Sequence, residues 1–275
     1  MRHTLLCGAL TLLLIAGPTA AAQKQKHETP LRIVSVSTPV YSGLLAMLAQ
    51  GFEQETGVKV EFRSSNDPHR QGRTGQADLV ISHYGKSGME TFISDGMGHW
   101  PRMLFANQAV IIGPKSDPAG IAALNARDAF SRLQQQQSPF VANALPGPQF
   151  IHDFLQAQNG GTQPLAQASD KTYAKAAAVR QAEKQQAYVV WGAFPFLRYQ
   201  AQNDSDLAIL VADDPILHRV MASSVVRSDQ VSGVNESAAR QFEQYVIRTD
   251  TQAKIAAFRT MGSERQLWWP YGRHN

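Results

Sequence analysis

The chain alternates short apolar runs, typical of buried strands, with segments whose apolar residues recur at helical spacing. The run 31–36 (LRIVSV) predicts a strand, and 37–39 (STP) offer a hydroxyl N-cap followed by proline, as at a helix start. Apolar positions within 44–52 continue that helix, Gly57 ends it, and 58–62 (VKVEF) alternates like a second strand. Two strands joined by a helix are expected to pair in parallel, which favours α/β layers.

The same alternation continues to the C-terminus. Further strands are predicted at 77–82, 109–113, 140–142, 188–191, 207–211 and 220–226, and helices at 87–94, 126–136, 150–158, 171–186 and after Asn235. The turn 117–120 (DPAG) indicates a boundary between lobes. We expect two lobes, each a mostly parallel sheet flanked by helices, with a hinge between them. The first would comprise residues 31–115 and 220–275, and the second residues 116–219.

Residues 1–22 (MRHTLLCGALTLLLIAGPTAAA) have the pattern of a cleaved secretory signal. Arg2 supplies its positive charge, an apolar run follows, and an Ala-x-Ala cleavage site precedes Gln23. The apolar run is short for a membrane span. We therefore expect export to the periplasm, a flexible tail at 23–30 and no stable membrane insertion.

The catalytic and metal-binding motifs that a sequence can display are missing. The single cysteine, Cys7, lies in the signal, so the mature chain would have no thiolate for catalysis or metal binding. The histidines are scattered, and neither a G-x-S-x-G elbow nor a phosphate-binding glycine loop occurs. We expect no metal, no cofactor and no enzymatic activity.

Composition excludes several classes of protein. With 43% hydrophobic and 17% charged residues, the chain is not a disordered polyelectrolyte. After the signal it has no apolar run of about 18 residues, so it is not a polytopic membrane protein. Its net charge of +4 comes without the lysine and arginine clusters that bind nucleic acid. This mild basicity favours a small anionic ligand over a polyanion, and nucleic acid is not an expected partner.

Several stretches carry a resemblance to a known family. Residues 72–80 (GRTGQADLV) are close to the pattern G-x-x-G-D-A-D-V, and His83 follows them. Residues 110–121 (VIIGPKSDPAGI) and the terminal 268–270 (WWP) extend the match. Together they resemble the extracellular tungstate-binding branch of type II periplasmic solute-binding proteins, over nearly all of the chain after the signal. The resemblance implies a two-lobed, hinged fold that closes on a ligand and delivers it to an ABC permease.

The ligand-binding motifs of that family are altered here. The family pattern T-T-T-S-T-x-D-S-G aligns with 35–43 (SVSTPVYSG), where Tyr41 replaces the aspartate. The pattern R-G-D-x-S-G-T-H aligns with 143–149 (NALPGPQ), which lacks its charged and hydroxyl groups. Trp191 and Gly192 replace a later D-R pair. These departures leave two ligand classes open, a tungstate- or molybdate-like oxyanion and a small organic anion.

In a two-lobed binding protein the ligand lies between the lobes, near strand ends and helix N-termini. The first-lobe candidates for ligand contact are Ser37, Thr38, Ser65, Asn66, Ser82 and His83. Ser37 and Thr38 could donate to an oxyanion, or they could only cap the helix. His83 could bridge loops structurally, or as a ligand group change its charge near pH 6.5.

Four further candidates come from the family alignment: Arg102, Asn143, Gln149 and Trp191. Arg102 matches a family arginine, and its guanidinium could hold a tetrahedral anion bidentately or pair with a carboxylate. The other three can donate hydrogen bonds but add no charge. Trp191 and Phe194 could belong to the core. If they line the cleft, an organic or partly apolar ligand is favoured over a bare oxyanion.

The sequence therefore predicts a monomeric periplasmic solute-binding protein that captures a small anionic or polar ligand for an ABC importer. The alternative is a periplasmic sensor or adaptor that keeps this fold and interacts with a membrane sensor. Its cleft would be partly plugged by Tyr41, Leu145, Pro146 or Trp191. A hydrolytic enzyme is the least supported reading, because it would need a perturbed acid or base such as His83 beside a carboxylate.

Overall fold

The computed structural model describes residues 29–160, 164–260 and 262–272. The predicted signal at 1–22, with Cys7, and positions 23–28 of the predicted tail lie outside the described residues. The strands are β1 (Leu31–Ser35), β2 (Val60–Ser64), β3 (Leu79–His83), β4 (Arg102–Pro114), β5 (Phe140–Val141), β6 (Tyr188–Gly192), β7 (Leu207–Val211), β8 (His218–Val225) and β9 (Trp269–Pro270).

Helices lie between these strands, and two of them, at Pro68–Arg73 and Ala193–Gln202, were not predicted from the sequence. The helices are α1 (Ser37–Tyr41), α2 (Leu44–Thr56), α3 (Pro68–Arg73), α4 (Met89–Ser94), α5 (Ala126–Gln135), α6 (Pro146–Gln158), α7 (Ala176–Lys184), α8 (Ala193–Gln202), α9 (Glu236–Ile247) and α10 (Thr249–Ala257). A short 3₁₀ turn covers Pro215–Leu217.

The strands follow one another in the order β2-β1-β3-β8-β4-β6-β5, and β7 and β9 also pair with β4. The pairs β1–β2, β1–β3 and β5–β6 are parallel, which confirms the parallel pairing predicted for the first strand–helix–strand unit. The antiparallel pairs all involve β4 or β8. The fold is therefore a mixed α/β arrangement in which β4 and β8 join sheets of parallel strands.

Strand β4 is long enough to take part in both sheets. Its first half, Arg102–Gln108, pairs with β8, and its second half, Ala109–Pro114, pairs with β6 and β7. The partners change between Gln108 and Ala109. Any cavity at this change of partners is bordered by both sheets.

The first helix departs from its predicted start. Val36 is the N-cap and makes no side-chain cap hydrogen bond, so Ser37 is the first helical residue and the predicted hydroxyl cap is wrong. Gly43, with φ of 87°, then separates α1 from α2 in a left-handed conformation that glycine adopts without strain. The predicted end at Gly57 is confirmed, with φ of 78°.

Three apolar clusters form the core, and the two larger ones show how the helices are held. In one, Phe52 of α2 and Phe242 of α9 are fully buried with ring centroids 5.2 Å apart, edge to face. In the other, Phe130 of α5 and Leu155 of α6 are fully buried. Each fully buried side chain of this size contributes roughly 1.5–3 kcal/mol.

A buried carboxylate fixes the first sheet to α9. Asp78 is fully buried and accepts hydrogen bonds from the Arg32 backbone N–H (2.7 Å), from two guanidinium nitrogens of Arg32 (2.6 and 3.2 Å), and from the Asn235 N–H (2.8 Å). Asn235 is the N-cap of α9, as predicted. One side chain thus holds the start of β1 to the start of α9.

We expect Asp78→Asn to lower the free energy of unfolding by roughly 2–3 kcal/mol, because the Arg32 guanidinium loses its charged partner. Urea denaturation followed by circular dichroism measures the change. The matched control is Asp229→Asn, which removes the carboxylate of the exposed Arg227–Asp229 pair and should change stability little. Equal effects of the two substitutions would contradict the role given to Asp78.

Candidate functional site

A cavity of about 630 Å³ lies where β4 changes partners. It is bordered by the ends of β1 and β3, the middle of β4, the start of β8, and the starts of α6 and α8. Its polar lining residues are Thr38, His83, Tyr84, Lys86, Ser87, Asn107, Gln108 and Arg219. The remaining lining residues are Val36, Gly85, Ala109, Leu145, Pro146, Gly147, Pro148, Phe150, Trp191, Gly192 and Pro195.

Arg219 is the dominant charge in this cavity. It lies on β8 opposite Asn107 of β4, and its guanidinium packs so closely on Gly147 that a Cβ there would overlap Nη1. Burial lowers the pKa of Arg219, although a guanidinium stays charged at neutral pH. Within the described part of the chain, this guanidinium makes no hydrogen bond or ion pair. The cavity therefore contains a half-buried positive charge for which the described residues provide no counter-ion.

Lys86 adds a second positive charge. It is half-buried in the turn after β3 and has no ion-pair partner among residues 29–160, 164–260 and 262–272. The cavity lining contains no aspartate or glutamate. With two cations and no carboxylate, the cavity attracts anions.

His83 is neutral in this environment. Its Nε2 lies 3.2 Å from Asn107 Oδ1. Burial, together with the charges of Arg219 and Lys86, lowers the pKa of His83 to about 4, and the hydrogen bond to Asn107 only partly opposes this. The structure therefore does not support a change of charge near pH 6.5, because burial and the neighbouring cations disfavour the imidazolium.

The starts of α6 and α8 present mostly apolar surface. Pro146 and Pro148 are the first and third residues of α6, so of its first three residues only Gly147 has an N–H. Trp191 and Phe150 extend this surface, and Phe150 is 60% exposed. The start of α6 thus offers few hydrogen-bond donors, as the altered motif at 143–149 predicts.

The structure brings three of the sequence-predicted site residues to the cavity: Thr38, His83 and Trp191. Trp191 is also part of the core, with 8% of its surface exposed, so both interpretations of it apply. Ser37 precedes Thr38 and is exposed, outside the lining. Ser82 is fully buried, 3.4 Å from Nε2 of His69.

The other first-lobe candidates lie away from the cavity. Ser65 accepts the N–H of Asp67 at 3.1 Å, and Asn66 is exposed. Arg102 begins β4, about 17 Å along the strand from Asn107. There Arg102 Nε lies 3.6 Å from the carboxylate of the buried Glu243. We therefore do not include these residues in the proposed site.

Two second-lobe candidates support local structure. Asn143 is buried, and its Oδ1 accepts backbone N–H groups of Lys175 (3.1 Å) and Leu145 (3.4 Å), which fixes the loop before α6. Gln149 donates to Asp153, one helical turn later, at 2.7 Å. Neither lines the cavity.

Tyr41, which stands in place of the family aspartate, contacts the other lobe instead of the cavity. Its hydroxyl accepts from Ser64 Oγ at 3.1 Å, and the Arg198 guanidinium lies 5.4 Å from its ring centroid. Because Tyr41 belongs to α1 and Arg198 to α8, this cation–π contact bridges the two sides of the cleft. Tyr41 does not plug the cavity.

Sequence reasoning missed Arg219 and Lys86 as site residues. A signal for Arg219 was present, since it is a lone cation next to the apolar run 220–222 of a strand. Lys86 lies in a turn without any distinguishing pattern. Only the pairing of β3 with β8 in the structure shows that Lys86 lies near Arg219.

Comparison with known proteins identifies the family. The profile of the PBP superfamily domain matches residues 18–250. The tungstate-binding protein TupA of Peptoclostridium acidaminophilum is 22% identical over 88% of this chain and 85% of its own length. The solved tungstate-binding protein TupA from Desulfovibrio alaskensis G20 superposes with a TM-score of 0.75, at 22% identity, over 88% of this chain and 99% of that one.

A second solved structure, the tungstate ABC transporter from Geobacter sulfurreducens, gives a TM-score of 0.68 at 23% identity, over 84% of this chain and 99% of that one. These likenesses establish the two-lobed periplasmic-binding-protein fold predicted from the sequence. No helix in the described ranges is long and apolar enough to cross a membrane. The described residues also hold no cluster of histidine, cysteine and acidic side chains suited to a metal ion.

We expect stability to fall as pH is lowered from about 6.5 to about 4, partly through His83. In this window the unfolded histidine binds a proton and the folded one does not, so the free energy of unfolding rises with pH. His83→Gln keeps a hydrogen bond to Asn107 and removes the titrating group. Between pH 7.5 and pH 4.5, the free energy of unfolding of this variant should therefore fall by roughly 2 kcal/mol less than that of the wild type.

Urea denaturation at pH 4.5, 5.5 and 7.5 measures this difference. His69, whose pKa burial also lowers to about 4, contributes equally to both proteins. Parallel stability curves for the two proteins would show that His83 titrates normally.

Proposed function

This chain belongs to the PBP superfamily, and on that premise we propose that it is a periplasmic solute-binding protein that captures a small anion for an ABC importer. The anion would occupy the cavity beside Arg219 and Lys86. Release to the permease would follow opening of the two lobes.

The observation that carries this proposal is the Arg219 guanidinium, which has no hydrogen-bond or ion-pair partner among the described residues. Removing a charge from water costs free energy unless it is paired. Arg219 is half-buried, and no acidic residue lines the cavity. An anionic ligand would supply the missing counter-ion, and a guanidinium binds carboxylate or tetrahedral oxyanions bidentately.

The relatives support the same class of ligand. The matched TupA proteins are named for binding tungstate, an oxyanion, and one solved neighbour is named as a tungstate ABC transporter. The cavity volume of about 630 Å³ is within the usual range for small-molecule sites. A delivery role in transport, without catalysis or a cofactor, is consistent with these names.

We propose that binding acts through closure of the lobes, 31–115 with 220–275 and 116–219. A ligand that touches both lobes shifts the population toward the closed state by its differential affinity. Arg219 is placed for this role, because it lies on the crossing strand β8 and rests on Gly147 of α6. A monomer is sufficient for this mechanism.

The sensor or adaptor alternative uses the same fold with a different partner. Leu145, Pro146 and Trp191 border the cavity, as that alternative predicts, and about 630 Å³ remains open for a ligand, as the transport role requires. We therefore prefer the transport role, and anion binding separates the two.

We expect at least one of tungstate, molybdate, sulfate, phosphate, acetate and phenylacetate to stabilise the mature chain in a thermal-shift assay. At 100 times the dissociation constant the gain is about 2.7 kcal/mol. Arg219→Ala should weaken binding about 10- to 100-fold, because a charge-assisted hydrogen bond is lost. Arg219→Lys should recover part of the affinity.

The matched control is Arg102→Ala, an arginine paired with Glu243 outside the cavity, which should leave the dissociation constant unchanged. Without ligand, Arg219→Ala should be at least as stable as the wild type, since it removes an unpaired charge. The proposal fails if no anion in the panel binds, or if Arg219→Ala binds as tightly as the wild type. Absence of anion binding together with direct binding to a membrane sensor would favour the alternative.

A further inference from the structure

The cavity joins a positively charged region to an apolar one, and we infer that its ligand is an organic anion with an apolar body rather than a bare inorganic oxyanion. This inference rests on the proposed function, since it concerns the same cavity. It specifies what the anionic group is attached to.

The charged region is confined to the strand ends. Arg219, Asn107 and His83 lie on the adjacent strands β8, β4 and β3, and Lys86 follows β3. His83 is neutral and already bonded to Asn107. The donors that carry charge are therefore two, Arg219 and Lys86, which suits one anionic group at one end of a ligand.

The apolar region comes from the starts of α6 and α8. Its side chains carry no charge, and its prolines have no N–H. The residues are Leu145, Pro146, Pro148, Phe150, Trp191 and Pro195. Phe150 is 60% exposed, although it is large and apolar. Exposed apolar surface inside a cleft is typical of a site that contacts apolar ligand groups.

A bare oxyanion fits this surface poorly. A tetrahedral oxyanion has acceptor oxygens on every side, so some of them would face the apolar surface. Each oxygen that loses water without gaining a hydrogen-bond donor costs free energy. Of the two second-lobe helices that begin at the cavity, α6 has proline at its first and third positions, so it supplies few backbone donors. Closure of the lobes would press an inorganic anion against proline, leucine and aromatic side chains.

An organic anion uses both regions. Its charged group pairs with Arg219 and Lys86, while its hydrocarbon part removes Phe150 and Trp191 from water. The volume of about 630 Å³ accommodates both parts. Aromatic side chains also pack well against flat ligand groups.

Matched pairs of probes test this inference by isothermal titration calorimetry on the mature chain. The pairs are acetate with phenylacetate and phosphate with phenylphosphate, and 2-phenylethanol is the uncharged analogue. In each pair the phenyl compound should bind at least about tenfold more tightly, because it buries an apolar ring. 2-Phenylethanol should bind at least about tenfold more weakly than phenylacetate, because it leaves Arg219 unpaired.

Phe150→Ala tests the apolar region directly. It should weaken phenylacetate binding about fivefold or more and leave acetate binding unchanged within about twofold. Because Phe150 is largely exposed, the variant should fold. Phe154→Ala is the matched control: Phe154 stacks on Phe150 with ring centroids 6.1 Å apart but does not line the cavity, so both affinities should stay within about twofold.

Failure of the inference differs from failure of the proposed function. If phosphate or tungstate binds more tightly than phenylphosphate and phenylacetate, and Arg219→Ala abolishes that binding, the cavity takes an inorganic oxyanion and only the inference is wrong. If Phe150→Ala leaves phenylacetate binding unchanged, the inference is also wrong. If no probe depends on Arg219, or if 2-phenylethanol binds as tightly as phenylacetate, both are wrong.

Discussion

Strand β4 forms hydrogen bonds in two sheets, and the position of the cavity follows from this. The first half of the strand is held by β8 and the second half by β6 and β7. Helices α6 and α8 begin at this junction, where residues of their first turns line the cavity. The cleft is thus fixed by backbone pairing before any ligand-binding side chain is considered, and Asn107, Gln108 and Ala109 border it.

In the proposed site, a charge without a counter-ion lowers the stability of the free protein and is available to a ligand. Elsewhere a buried charge is fully paired, as Asp78 is with Arg32 and Asn235. Arg219 instead keeps its guanidinium against a glycine with no counter-ion among the described residues. Because the guanidinium is already partly removed from water in the free protein, its pairing with an anion is more favourable. The contact of Tyr41 with Arg198 across the cleft helps to hold the lobes in this arrangement.

The sequence predicted helices and strands well where the spacing of apolar residues agreed with the residues that start or end an element. The first three strands follow from the spacing of their apolar residues. The end of α2 follows from Gly57, which adopts a left-handed conformation, and the start of α9 follows from Asn235, whose side chain caps the helix. The start of α6 was missed, because Pro146 and Pro148 interrupt the apolar period while favouring the first turn of a helix. Arg102 was misleading for another reason, since only the pairing of β4 shows its distance from the cleft.

The sequence by itself determined the α/β layering, the family and the loss of charged donors from the second-lobe motif, because these depend on residue types and their spacing along the chain. Only the tertiary structure decided which cations face the cavity. Arg219 and Lys86 are 133 positions apart by their numbers, and β3 and β8 become neighbours through antiparallel pairing. That pairing is a long-range contact, which no local pattern of residues encodes.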